Sequence, residues 1–106
     1  MLLKQVSAVP VAAVEAEVFR CDVSKHRNAC VFIKNAGANT LTSCKIRRMP
    51  TGAAGEPVDD VDTATFAGLT AGETKHLLVT SDCDTLRIDA GSASGTTIDV
   101  YVTAIA

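Results

Sequence analysis

Polar and apolar residues alternate most cleanly at the end of the chain, where Ile98, Val100, Val102 and Ala104 share one parity and Thr97, Asp99, Tyr101 and Thr103 the other. A period of two belongs to a strand with one buried face, so residues 96–105 are predicted as a strand. Just upstream, Leu86, Ile88 and Ala90 alternate with Arg87 and Asp89, and Gly91-Ser92-Ala93-Ser94-Gly95 supplies a flexible link, which predicts a C-terminal hairpin. Residues 29–34 form an apolar run, residues 35–39 read as a turn, and residues 41–49 resume strand character with Cys44 and Ile46 on one face. That pattern predicts a second hairpin. Residues 15–23, closed by the polar turn at 24–28, and residues 74–80 add further strands. Helical periodicity is nowhere sustained, and turn residues interrupt the chain about every ten positions, the spacing of all-β folds. The expected architecture is an antiparallel β-sandwich, jelly-roll or Ig-like, of seven to eight strands.

Two stretches resist the pattern. Pro10 cannot donate to a ladder, so residues 1–13 are either an edge strand that breaks midway or an arm reaching elsewhere, beside a sandwich domain at 14–106. Residues 50–72, with Gly52, Gly55, Pro57, Gly68 and Gly72 and an apolar patch at Phe66, read as one long irregular loop, a length that usually signals function or mobility.

Composition narrows the picture. A chain of 106 residues fits one domain, burying roughly 65% of its extended surface. With Phe19, Phe32, Phe66 and Tyr101 as its aromatics, its core must be aliphatic. A net charge of −2 supplies no field to collect phosphates, which argues against nucleic acid and anionic membranes as partners. No apolar stretch approaches the ~18 residues of a membrane span, and the opening Met1-Leu2-Leu3-Lys4-Gln5 does not have the form of a secretory leader. Without such a leader, Cys21, Cys30, Cys44 and Cys83 are expected as free, mostly buried thiols.

Chemistry is hard to find. Cys21 and Cys30 lie nine positions apart, without the close cysteine pairs that zinc sites use. A nucleophilic thiol needs a positioned base, and only Cys21, five residues before His26, suggests one. Glu56, Asp59, Asp60 and Asp62 make an acidic loop that reads as solvated, with calcium as the alternative occupant. Lys45, Arg47 and Arg48 form a basic edge, and its meeting the acidic loop of a neighbouring copy is a means of setting an oligomer's register. Neither a cofactor nor an enzymatic activity is expected.

Three turn-and-strand motifs, Val31-Phe32-Ile33-Lys34-Asn35-Ala36-Gly37, Leu69-Thr70-Ala71-Gly72-Glu73 and Thr85-Leu86-Arg87-Ile88-Asp89-Ala90 followed by Gly95-Thr96-Thr97, cover much of the chain. In combination they resemble the small β-sandwich virion proteins of tailed bacteriophages. The resemblance implies a capsid-decoration, head–tail or tail accessory subunit, a homo-oligomer bound to major capsid or tail proteins, located in the virion and assembled in host cytoplasm. The expected contacts are the arm, through Met1, Leu2, Leu3, Val6, Val9 and Val11, then Arg47, Arg48, Asp59, Asp60 and Asp62, and the loop residue Phe66. Deleting residues 1–11 is expected to leave a folded monomer that no longer assembles. The alternative function is an extracellular glycan-binding sandwich, with or without the assistance of calcium.

Overall fold

β-branched and aliphatic runs separated by turn residues become eight strands in a computed structural model that describes residues 1–80 and 84–105. They are β1 (Leu2–Val11), β2 (Ala16–Asp22), β3 (Asn28–Asn35), β4 (Ser43–Met49), β5 (Asp59–Asp62), β6 (Thr74–Thr80), β7 (Thr85–Gly91) and β8 (Thr96–Ile105). Cys83 lies outside the described residues.

Two four-stranded sheets form, ordered β1-β8-β3-β6 and β2-β7-β4-β5, and every pairing is antiparallel. The pairs β1·β8, β2·β7, β3·β6 and β4·β5 nest inside one another. The chain is thus a single long ribbon, folded back at β4–β5 and wrapped into two layers, with β3·β8 and β4·β7 completing the sheets. That winding is the jelly roll, which selects between the two sandwich types expected.

Both predicted hairpins are corrected by this order. β3 and β4 lie in opposite sheets, as do β7 and β8. The physical reason is that Ser92 to Gly95, though short enough for a hairpin, also spans the ~10 Å between packed sheets. Alternation fixes which face of a strand is buried and leaves its partner open.

The core is aliphatic, built from side chains such as Val31, Ile33, Ile46, Leu86, Ile88 and Val100, each 1% exposed or less. Inward parity accounts for Ile98, Val100 and Val102 on β8 and for Leu86, Ile88 and Ala90 on β7, as the alternation predicts. Residues 1–11 are an integral edge strand. β1 pairs with β8 along its length and sends Val9 and Val11 into the core. The long tract at 50–72 is likewise ordered: it contains β5, bridges Leu41 to Leu69, and buries Phe66 completely.

At one end of the sandwich the resemblance motifs converge on Asn35, which is fully buried. Its Nδ2 donates to the carbonyls of Asn39 (2.8 Å) and Leu69 (2.9 Å), while its Oδ1 accepts from Gly37 N (3.2 Å) and Thr96 Oγ1 (2.8 Å). Its backbone exchanges bonds with Glu73 O and Gly72 N. Gly37 is required beside it, because a Cβ there would lie 2.7 Å from Thr97 N.

Candidate interaction surfaces

The outward sides of the two sheets differ sharply in chemistry. On the first sheet the register lines up residues of outward parity in rows across the strands. One row is Gln5, Tyr101, Phe32 and His76, and the next is Leu2, Thr103, Cys30 and Leu78. The Phe32 and His76 rings sit 5.5 Å apart between centroids, tilted by 35°. Leu2, Leu78 and Ile105 are 53%, 59% and 43% exposed, and Met1 stands at the corner, so large apolar side chains remain wet across this face.

The second sheet carries charge instead. Arg20, Arg87 and Arg47 fall in one row that ends at Asp60, and Glu17, Asp89 and Lys45 in the next. Asp89 is buried, yet both its oxygens are held by Arg87 (2.7 and 2.8 Å) and one also by Arg47 (3.1 Å). Paired donors of this kind offset the cost of removing a carboxylate from water. Arg20 grips Glu17 through two bonds, 2.6 and 2.8 Å, and that hydrogen bonding holds the Glu17 carboxyl below its usual value. Lys45 pairs with Glu15 at 3.2 Å.

The expected contact residues divide accordingly. Met1, Leu2 and Val6 are exposed on or beside β1, and Leu3 is partly buried against the core. Val9, Val11 and Phe66 are spent on the interior and have no surface left for a partner. The basic edge and the acidic loop do meet, but inside one chain: Arg47 Nε to Asp60 Oδ1 at 2.7 Å and Arg48 Nε to Asp59 Oδ2 at 2.9 Å. β5 is the fold-back partner of β4, which places opposite charges on neighbouring strands and removes the need for a second copy. Asp62 accepts from Thr65 N, Thr65 Oγ1 and Ala64 N, and Glu56 from Thr51 and Gly52. A calcium ion would have to displace these donors.

The thiols are arranged for packing. Cys21, Cys30 and Cys44 are free and buried, and burial raises each pKa, that of Cys44 to about 12. A nucleophilic thiol requires the opposite shift. His26 lines a depression of about 160 Å³ with Asp22, Ser24 and Lys25.

The apolar outer face escapes sequence reasoning because β3 reads as one unbroken apolar run. Nothing in that run says that Phe32 points away from Val31 and Ile33 into a row with Tyr101. Tyr101 carried the one available signal, its polar parity on β8.

No family model and no curated protein matches the chain. Solved structures similar to it in outline include the following two. A chain of the Bacillus endospore appendages, a family of disulfide-linked pili, is 17% identical with a TM-score of 0.47, over 97% of this chain and 87% of that one. A chain of infectious bursal disease virus, Gx strain, is 10% identical with a TM-score of 0.42, over 98% of this chain and 31% of that one. At these similarities neither says what this chain does.

Proposed function

We propose that this chain is a non-enzymatic structural subunit that works by assembly, as a capsid-decoration or head–tail accessory protein of a bacteriophage virion. The supporting observation is the outer face of the β1-β8-β3-β6 sheet, where Leu2, Phe32, Leu78, Tyr101 and Ile105 place apolar and aromatic side chains in water among Gln5, His76 and Thr103. Leaving such a face in water costs roughly 25 cal/mol per Å² of apolar area, so a covering neighbour gains what the monomer forgoes. The bacteriophage setting rests on the motif resemblance, and the free thiols fit assembly in a reducing cytoplasm.

Static light scattering over a concentration series tests the assembly, with Leu2→Lys/Leu78→Lys as the comparison. The wild-type mass should climb with concentration while the variant stays monomeric at an unchanged melting temperature. Mass spectrometry of purified virions tests the setting and supplies the copy number. A wild-type chain that remains monomeric throughout and is missing from particles would sink the reading.

A further inference from the structure

Granting that the chain assembles, we infer that one copy meets another through the free edge of β6, pairing antiparallel across a two-fold axis and merging their β1-β8-β3-β6 sheets. The sandwich has four edges, and three of them are blunted in the ways that protect sheet edges from pairing. β1 has register breaks at Leu2/Lys4 and Val6/Val9, a left-handed Ala8 (φ 54°) and Pro10. β2 has a register break at Glu17/Phe19, and Lys4 Nζ caps its Arg20 carbonyl at 2.6 Å. β5 is four residues long and bears three aspartates.

β6 carries a single such device, Lys75, whose inward parity opposite Ile33 sets one charge at the edge. Its seven residues keep unbroken register with β3 and contain no proline and no acidic side chain. β6 is the least protected of the four edges, and within this molecule its best-matched counterpart is β6 of a second copy.

The side chains suit that pairing. Centred on Leu77, an antiparallel β6 pair places Leu77 opposite itself, His76 opposite Leu78, Lys75 opposite Val79 and Thr74 opposite Thr80. No like charges face each other: the two Lys75 side chains sit four positions out of step, about 13 Å along the strands, beyond the ~8 Å screening length of physiological salt. β5 closes the same flank in the other layer, where Asp59 and Asp60 pair with Arg48 and Arg47 and Asp62 accepts from Ala64 and Thr65, which lessens the carboxylate repulsion between two such flanks. The wet Leu78 of each copy then packs against the His76 ring of the other, and the rows through Phe32 and Tyr101 continue from one subunit into the next. A strand edge falls short of the ~1,200 Å² of a stable complex, so the contact is weak alone and acts through repetition.

Engineered disulfides test the register in the full chain carrying Cys83→Ser, at concentrations where light scattering shows association. Thr74→Cys/Thr80→Cys places its thiols opposite each other only between copies, because within one strand they lie about 20 Å apart. Under mild oxidation the double variant should shift from monomer to dimer as its main band, and Leu77→Cys should do the same, whereas Thr74→Cys alone should stay monomeric. Equal crosslinking in the single and double variants, or none in either while the wild type still associates, overturns the edge pairing and leaves assembly standing. A wild type that never associates removes both.

Discussion

Asn35 does more than any other single residue to close the sandwich at its loop end. One buried amide satisfies all its hydrogen-bonding capacity against the 36–39 turn, the 69–73 turn and the start of β8. Replacing it by Ala leaves buried carbonyls and a hydroxyl unpaired, so Asn35→Ala should destabilise the fold by about 3 kcal/mol. Urea unfolding checks this as a lower midpoint at unchanged slope. A shift within error of zero would mean that water replaces the amide. The sequence marked Asn35 as the first residue of a turn, whereas it is the last residue of β3 and its side chain ties the turn that follows. Its long-range partners, Leu69 and Thr96, become visible only once the ribbon is folded back. At the same scale, the motifs behind the bacteriophage resemblance are accounted for by this clasp and by strand alternation, which makes them structural marks.

Among the elements, β8 was fully legible, because alternation at period two and β-branched content agree there, while β6 was legible in its bounds, its Leu77-Leu78-Val79 run breaking the alternation. β5 was not. Its Asp-Asp-Val-Asp run has poor strand propensity and is held by its ladder to β4 and the ion pairs to Arg47 and Arg48, both long-range facts. β1 was legible in part: Pro10 correctly marked an edge, but the alternative of a detachable arm fails because Val9 and Val11 are core residues. Deleting residues 1–11 therefore removes a wall of the sandwich and bares the flank of β8. The truncated chain should give an unfolded far-UV circular dichroism spectrum or precipitate, and Val11→Ala alone should cost roughly 2 kcal/mol. A truncated chain that melts cooperatively would show that β1 is dispensable.

For the whole molecule, the nested ribbon sets how folding proceeds. Pairing β1 with β8 joins strands far apart in sequence, and among the described residues only β4–β5 links strands adjacent in sequence within one sheet. Loop-closure entropy must be met before most of the core can form, so refolding belongs in the slow range of β proteins, about milliseconds to seconds. Stopped-flow fluorescence of Tyr101 should follow the recovery of the native signal after mixing, and full recovery within the dead time would overturn this. Pairing order was the part hidden from sequence, since alternation on two strands is compatible with many partners. The charged face of the β2-β7-β4-β5 sheet has one more consequence. Arg20, Arg47 and Arg87 cancel against Glu17, Asp60 and Asp89 within a single subunit, so these six groups present a neighbouring surface with an electrically balanced plate, and added salt has little there to screen.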